Sequence, residues 1–283
     1  MTTPISDLLR LPAGPVDLSA LDPRATHGFP GKDKSDQPKL MAELAPVLDD
    51  RQERLFAAGR ADPESAPRVL MILQGMDTSG KGGVIRHAVG LMDPQGVRIT
   101  GFKAPTEEER SHDFLWRIER ALPSPGQVGI FDRSQYEDVL VVRVEQLVDE
   151  AEWRSRYDRI NEFEARLAEQ GTLIIKCFLN VSYAKQGERL MERLDNPDKY
   201  WKYNPGDLVA RSRWADYQAA YADALANCNT EVAPWYVIPA DRKWYRNWAA
   251  AQLLAEQLER LNLGWPPADF DVAEQKRLLA ATM

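Results

Sequence analysis

Histidine and cysteine are scarce in this sequence of 283 residues, which has three histidines and two cysteines. No Cys-x-x-Cys pair occurs, so the usual residue pattern of a zinc site is absent. A chain of this length can bury a sizeable core without disulfide bonds. Cys177 lies in an apolar run, where a thiol behaves as a small buried hydrophobe. We therefore expect reduced cysteines, no disulfide and a cytoplasmic location.

Long apolar runs and an excess of positive charge are also absent. The sequence has no run of ~18 apolar residues, which a membrane-spanning helix requires, so no membrane partner is expected. The first residues lack the basic start and apolar run of a secretory signal, and none is expected. The net charge of −7 argues against a nucleic-acid-binding protein. An acidic protein can still concentrate cations in one cleft, so an anionic small substrate is compatible with this charge.

Short apolar runs alternate with helical periodicity, which predicts an α/β fold: a parallel sheet with helices on both faces. The predicted strands are 69–73, 97–102, 128–131, 173–179 and 235–239. The predicted helices are 39–59, which forms a helical extension before the first strand, 84–91, 107–121, 136–148, 151–169, 182–194, 208–226 and 244–262. Residues 1–38 are predicted to be an irregular extension and residues 266–283 a tail, which leaves one domain over 39–265.

A glycine-rich loop, Gly75–Gly83, follows the first predicted strand and satisfies the phosphate-loop pattern G-x-x-x-x-G-K. A predicted helix follows it, which is the structural context that the motif requires. Its glycines allow backbone N–H groups to face phosphate oxygens, and the helix N-terminus adds partial positive charge. The predicted phosphate-binding residues of the loop are Gly75, Met76, Thr78, Ser79, Gly80, Gly82 and Gly83. Lys81 is predicted to neutralise the transferring phosphoryl group, although a glycine-rich turn can also be purely structural.

The loop departs from the usual pattern at position 82, where a Ser or Thr normally holds Mg²⁺ and this chain has glycine. Another oxygen must then hold the metal, and Asp77 inside the loop is the predicted ligand. A carboxylate in a phosphate cradle repels its ligand unless a cation lies between them. Asp132, at the end of the third predicted strand, is the second predicted ligand, with a proton-accepting, acceptor-positioning or helix-capping role as the alternatives. Arg133 follows directly and can reach phosphate.

A charged helix, 182–194, carries Lys185, Arg189 and Arg193 at intervals of four, which places three cations on one stripe. One interpretation is a solvated helix face with weak internal ion pairs. The other is a lid whose cations hold a string of phosphates, with arginine gripping their oxygens in pairs. The position of the helix after the fourth strand, where nucleotide kinases carry a lid, favours a lid over residues 182–213.

Five separated segments together resemble the family-2 polyphosphate kinases. They are GMDTSGKGG, GFKAPTEEERSHDFLWR, FDRSQYEDVLVVRV, ERLMERLDNPDKYWKYNPGDL and PWYVIPADRKWYRNW. The resemblance runs from about Lys39 to Leu263. It implies a three-layer P-loop kinase fold similar to thymidylate kinase, with a helical lid. It also implies Mg²⁺-dependent, reversible phosphoryl transfer between inorganic polyphosphate and a nucleotide, with Mn²⁺ as a substitute metal and a homodimer or homotetramer as the assembly.

The resemblance also assigns residues. The implied catalytic residues are Asp77, Lys81, Asp132, Arg133, Arg189 and Arg193, with Asp77 and Asp132 as the metal ligands. Lys103 is implied to contact phosphate, as the spacing of cations on the charged helix predicts for Lys185, and Glu137 is implied to contact an adenine or guanine nucleotide. The DRSxYED form with Glu137 is similar to the group that accepts AMP as well as ADP. Family members often have consecutive arginines where this lid has Gln186-Gly-Glu188, so we expect a looser grip on the donor chain.

Three rival interpretations remain. In an ATP-dependent nucleoside monophosphate kinase the donor triphosphate would lie in the loop, but Gly82 lacks the metal-binding hydroxyl. A binding protein with a decayed phosphate cradle conflicts with the intact Asp77, Lys81 and Asp132. A nucleic-acid-binding lid conflicts with the acidic balance of the chain. The preferred mechanism is direct in-line transfer, which depends on positioning and electrostatics rather than on a covalent nucleophile.

Overall fold

One five-stranded parallel sheet, in the order β2-β3-β1-β4-β5, organises the chain in this computed structural model, which describes residues 3–283. The strands are β1 (Arg68–Gln74), β2 (Val97–Gly101), β3 (Val128–Asp132), β4 (Thr172–Asn180) and β5 (Trp235–Pro239). β1 is central because its apolar residues can be buried on both faces, and Val69–Leu73 are all buried. The predicted α/β fold with five parallel strands is confirmed.

Helices cover both faces of the sheet, so the molecule has three layers. They are α1 (Ile5–Leu9), α2 (Gln37–Ala61), α3 (Lys81–His87), α4 (Glu107–Arg110), α5 (Trp116–Ala121), α6 (Glu137–Val144), α7 (Glu150–Glu169), α8 (Tyr183–Leu194), α9 (Gly206–Ser212), α10 (Trp214–Asn227), α11 (Lys243–Arg260) and α12 (Val272–Ala280). On one face α11 packs against α2 and α3. On the other, α6 packs against α7 and α10.

Two predicted helices are each divided in two. The predicted helix 107–121 breaks at Asp113, whose side chain accepts a hydrogen bond from the Leu115 N–H while its carbonyl accepts one from the Trp116 N–H. The predicted helix 208–226 breaks at Arg213, whose guanidinium donates to the Val144 carbonyl at 2.9 Å. Each break coincides with a side-chain contact that helical periodicity does not encode.

The N-terminal segment, predicted to be an irregular extension over residues 1–38, contains a short helix and one 3₁₀ turn and otherwise consists mostly of turns and loops; its first two residues lie outside the described residues. Helix α1 buries Ile5 and Leu9. Beyond it, the Leu11 N–H donates to the Trp235 carbonyl at 2.8 Å, and Arg10 forms an antiparallel bridge with Tyr236. The segment thus covers the edge strand β5, whose unpaired backbone groups would otherwise be exposed. Tertiary packing, not local periodicity, fixes this segment.

The C-terminal tail contains one further helix, α12, which has no buried residue. Among residues 3–283, no helix combines the length and the apolar character that crossing a membrane requires.

Candidate active site

The glycine-rich loop joins β1 to α3, so the predicted strand and helix on its two sides are both present. Gly80 has a φ of 111°, in the left-handed region that favours glycine. A Cβ at this position would lie 1.7 Å from Nη1 of Arg246. Thr78 has a positive φ of 63°, which is uncommon outside glycine and typical of strained functional loops. Close packing beneath the loop therefore fixes its unusual backbone.

Lys81, the first residue of α3, lies inside the curve of the loop. Its side chain is buried, and Nζ donates to the Gly75 carbonyl at 2.8 Å. Burial lowers the pKa of Lys81, and the charge of Arg133 lowers it further, while Asp77, Asp132 and Glu137 oppose the shift. The ammonium group is therefore held at the loop with few water contacts, where its interaction with a phosphate is strong.

Asp77, Arg133 and Glu137 form a continuous ion-pair chain beside the loop. Nη2 of Arg133 lies 2.7 Å from Oδ1 of Asp77, and Nη1 lies 3.2 Å from Oε2 of Glu137. The charge of Glu137, with a smaller contribution from Asp77, raises the pKa of Arg133 against the opposing effect of burial. Arg133 has a φ of 67° and its N–H donates to the Leu73 carbonyl at 3.0 Å, so its backbone is fixed at the sheet edge.

Asp132 ends β3, next to the loop that ends β1, because Leu73 and Asp132 are partners in the parallel register. Asp77 and Asp132 line the same cleft. The two predicted metal ligands are thus brought together at the carboxyl ends of two neighbouring strands, where α/β sheets bind their ligands.

The predicted lid cations do not act as one stripe. Arg189 is buried, and it donates to the carbonyls of Thr78 at 2.8 Å and Ser79 at 3.1 Å. Arg193 donates to the Lys202 carbonyl at 2.7 Å and to Oδ2 of Asp207 at 3.1 Å. Lys185 pairs with Glu188 and is not among the residues that line the cleft. Arg189 therefore contacts the backbone of the loop, and its predicted contact with phosphate stays a prediction.

The loop opens into a cleft of about 830 Å³ between α3, α8 and α11. Cations dominate its lining: they are Lys81, Arg86, Lys103, Arg133, Arg189, Arg193, Lys199, Lys202, Lys243 and Arg246. The carboxylates are Asp77, Asp132 and Glu192. A chain with a net charge of −7 thus concentrates ten cations against three carboxylates in one cleft, which favours a polyanionic ligand.

Most of the predicted loop residues reach the cleft. Thr78, Gly80, Gly82, Gly83 and the more distant Lys103 line it. Gly75, Met76 and Ser79 lie beneath the loop surface and are not among the lining residues. Glu137 is likewise not part of the lining, but its carboxylate accepts a hydrogen bond from Arg133, which does line the cleft.

Sequence reasoning missed Arg246, which lies under the loop on α11. It is buried, its Nη1 donates to the Ser79 carbonyl at 3.2 Å, and its Nη2 donates to Oδ1 of Asn247 at 2.7 Å. Among residues 3–283 it has no carboxylate partner. Burial, with the nearby charge of Arg189, lowers the pKa of Arg246 to about 9. Arg246 lies within the segment PWYVIPADRKWYRNW that carries the family resemblance, but the sequence does not indicate that this arginine reaches the loop.

Trp201 stands out among the aromatic side chains because it lines the cleft and is 79% exposed. The aromatic cluster on α11 differs, since Trp244 and Trp248 pack edge-on against Phe29 of the N-terminal segment. Only Trp201 of these three tryptophans offers a face to a ligand in the cleft.

Known proteins resemble the chain over most of its length. The profile of the family described as Polyphosphate kinase 2 (PPK2) matches residues 41–263. The chain is 46% identical over 255 residues to an AMP/ADP-polyphosphate phosphotransferase of Meiothermus ruber, covering 90% of this chain and 93% of the relative. It is 38% identical over 253 residues to an ADP-polyphosphate phosphotransferase of Rhodopseudomonas palustris, covering 85% of each. The crystal structure of Polyphosphate Kinase 2 from Arthrobacter aurescens TC1 superimposes with a TM-score of 0.94 at 51% identity, covering 99% of this chain and 98% of that one.

Proposed function

This chain belongs to the polyphosphate kinase 2 family, and we propose that it reversibly transfers the terminal phosphoryl group of inorganic polyphosphate to AMP and ADP. One observation carries the proposal: a phosphate loop with a carboxylate in its middle opens into a cleft lined by ten cations and three carboxylates. Polyphosphate carries negative charge along its whole length, so a long chain can neutralise many cations at once. The name of the Meiothermus ruber relative mentions polyphosphate with both AMP and ADP, and that of the Rhodopseudomonas palustris relative mentions polyphosphate with ADP.

Cations beyond the loop favour a donor longer than a triphosphate. Lys199 and Lys202 lie on the 3₁₀ turn Pro197–Lys202, Lys243 begins α11, and Arg86 lies near the end of α3. All four line the cleft together with the loop. Because these four side chains line the cleft outside the loop, each added phosphate of a longer donor brings more negative charge towards them. We therefore infer that they hold the part of the donor chain that does not react.

Asp77 and Asp132 are the proposed ligands of Mg²⁺, with Mn²⁺ as a substitute. Among residues 3–283, no group of three or more His, Cys, Asp or Glu side chains is arranged to hold a metal ion. Two carboxylates still suit Mg²⁺, which commonly takes one or two of them and completes its shell with water and substrate phosphates. Gly82 offers no hydroxyl for this purpose, so both proposed ligands are acidic. The bound metal would supply positive charge where negative charge builds up on the phosphate oxygens.

The protein's own residues supply positioning and charge for in-line transfer. Loop N–H groups and Lys81 would hold the transferring group, and Arg133, which is kept in place by Asp77 and Glu137, would neutralise its charge. Arg189 holds the loop from below through the Thr78 and Ser79 carbonyls. We propose that Arg193, which is only partly buried, exchanges its contact with Asp207 for the donor when substrate binds.

Glu137 is the proposed determinant of acceptor choice. It begins α6 directly after the Asp132–Arg133 corner, and its carboxylate is bonded to Arg133. A bound acceptor phosphate would compete with Glu137 for the same guanidinium. This placement supports a role in deciding whether a nucleoside monophosphate or a diphosphate is accepted.

A direct assay tests the proposal. Purified protein, Mg²⁺ and long-chain polyphosphate are mixed with AMP or ADP, and the phosphorylated nucleotide is measured. Product from both acceptors is expected. The absence of polyphosphate-dependent product would overturn the proposal, and transfer only from ATP would instead indicate an ATP-dependent nucleoside monophosphate kinase.

Assembly and location complete the proposal. We propose a homodimer or homotetramer, because apolar side chains such as Leu279 on α12 and Phe270 before it are exposed and could be covered by a second copy of the chain. Light scattering measures the number of chains in the assembly directly. The cytoplasm is supported by Cys177 and Cys228, which are both free and buried.

A further inference from the structure

A fully buried ion pair, Lys176 of β4 with Glu164 of α7, lies between the sheet and α7, outside the cleft. Their side chains are 0% and 1% exposed, and Nζ lies 2.6 Å from Oε2. Lys176 also donates to the hydroxyl of Tyr136 at 2.9 Å and to the Cys228 carbonyl at 2.5 Å. All three protons of the ammonium group therefore have an acceptor.

The second carboxylate oxygen of Glu164 is used just as fully. Oε1 accepts hydrogen bonds from Nε2 of Gln135 at 2.9 Å and from the hydroxyl of Tyr136 at 2.7 Å. Gln135 and Tyr136 are themselves completely buried. One carboxylate thus anchors two consecutive side chains of the segment that follows β3.

Stability alone does not account for this pair. Taking two charges out of water is costly, and well-packed apolar residues of similar volume are often as stable or more stable. A buried pair whose every donor and acceptor is satisfied is therefore better explained by the geometry that it imposes.

The anchored segment carries the proposed catalytic corner. Gln135 and Tyr136, together with Ser134, join Arg133, which has a φ of 67°, to Glu137, which begins α6. A positive φ outside glycine persists only where the surroundings hold it. Neither Lys176 nor Glu164 lines the cleft, so neither can touch a substrate there.

We propose that the Lys176–Glu164 pair is a positioning device for the reaction. Through Gln135 and Tyr136 it fixes the backbone between Asp132 and Glu137, and so aims the Arg133 guanidinium and the Glu137 carboxylate. This inference rests on the proposed function for its kinetic consequence, but the ordering of residues 132–137 can be measured without any activity.

Two charge-neutral double variants separate positioning from stability. In Glu164→Gln/Lys176→Met, the Gln/Met protein, the amide oxygen at position 164 still accepts from Gln135 and Tyr136. In Glu164→Leu/Lys176→Met, the Leu/Met protein, position 164 offers these two side chains no acceptor. The Leu/Met protein should lose about ten- to a hundredfold in kcat, as expected for a catalytic group misplaced by about 1 Å. The Gln/Met protein should stay within about threefold of the wild type, and the KM for polyphosphate should change little in both, because the loop is untouched.

Leu48→Ala is the matched control, because Leu48 is fully buried in α2, a helix that packs on α11. It should lower the unfolding midpoint without lowering kcat. Hydrogen exchange of the peptide that contains residues 132–137 should quicken in the Leu/Met protein and not in Leu48→Ala. If the Leu/Met protein does not fold, Tyr136→Phe, which removes the hydroxyl that donates to Glu164 and accepts from Lys176, should show the same pattern with a severalfold loss of kcat.

Normal kcat and normal exchange in the variant that lacks the acceptor would overturn the inference, as would an equal loss of kcat in Leu48→Ala at the same stability. A wild-type protein without polyphosphate-dependent transfer would overturn the proposed function instead. The exchange measurement would still decide the inference in that case.

Discussion

Replacing Asp77 by Asn removes one negative charge from the phosphate loop with almost no change of shape. The amide oxygen can still accept from Nη2 of Arg133, which lies 2.7 Å from Oδ1 in the native protein. The side chain of Asp77 is 24% exposed and that of Arg133 is 36% exposed, so their ion pair is partly solvated and contributes at most about 1 kcal/mol to folding. The free energy of unfolding should therefore change by no more than about 1 kcal/mol.

The effect of Asp77→Asn on catalysis should be larger than its effect on stability. Asp77 is one of only two proposed acidic ligands, and a single preorganised electrostatic contact is typically worth about 3 kcal/mol in the transition state. Since about 1.4 kcal/mol corresponds to a factor of ten, kcat should fall about a hundredfold. Saturation should also require a higher Mg²⁺ concentration, because the affinity for the metal is reduced.

The assay measures initial rates of ATP formation from ADP and long-chain polyphosphate over a series of Mg²⁺ concentrations. Urea unfolding of the same samples gives the stability. Asp269→Asn is the control, since it makes the same chemical change at an exposed site outside the cleft. A near-normal kcat with an unchanged Mg²⁺ dependence would refute Asp77 as a ligand. A fall in kcat matched by loss of the folded protein would refute the separation of catalysis from stability.

Three further predictions concern neighbouring positions. Because burial lowers the pKa of Lys81, its ammonium group should lose its proton, and kcat/KM should decline, at a pH below ~10.4, the pKa of an exposed lysine. The variant Lys81→Arg should move that decline to higher pH in a pH–rate profile. A Cβ at position 82 would meet no atom within 4 Å, so the variant Gly82→Ser should fold normally. When it is combined with Asp77→Asn, its hydroxyl should restore part of the lost Mg²⁺ affinity, which a metal titration measures. The variant Arg246→Met should raise the KM for polyphosphate severalfold, because it removes a cation that lines the cleft. Its thermal stability should be kept or increased, since the lost cation is buried without a carboxylate partner. An unchanged KM would contradict this prediction.

Local sequence patterns were sufficient to predict the sheet and the glycine-rich loop. The uninterrupted apolar run Val69–Leu73 predicted a strand buried on both faces, and the glycine motif after it placed the phosphate loop. Both depend on interactions within a few residues of sequence. Asp132 could also be placed beside the loop, because the ends of neighbouring parallel strands meet at one edge of the sheet.

Long-range contacts could not be predicted in the same way. Lys176 was visible as a lone charge inside an apolar strand, but its partner Glu164 lies on the preceding helix, with nothing in the sequence to mark it. Arg189 was placed on the correct helix, yet its four carbonyl acceptors come from two distant segments. Arg246 lies 167 residues from its acceptor Ser79, which explains why it was missed.

The position of Arg189 limits how the predicted lid could move. Its guanidinium bonds the carbonyls of Thr78 and Ser79 in the loop and those of Ala240 and Asp241 after β5. Helix α8 is thereby tied at its middle to two fixed parts of the core, and swinging it as a rigid arm would break four hydrogen bonds together. We therefore expect any lid motion to occur in the chain beyond Arg189, so protein engineers who want to change the preferred donor length should alter residues 195–213 and leave the first half of α8 intact.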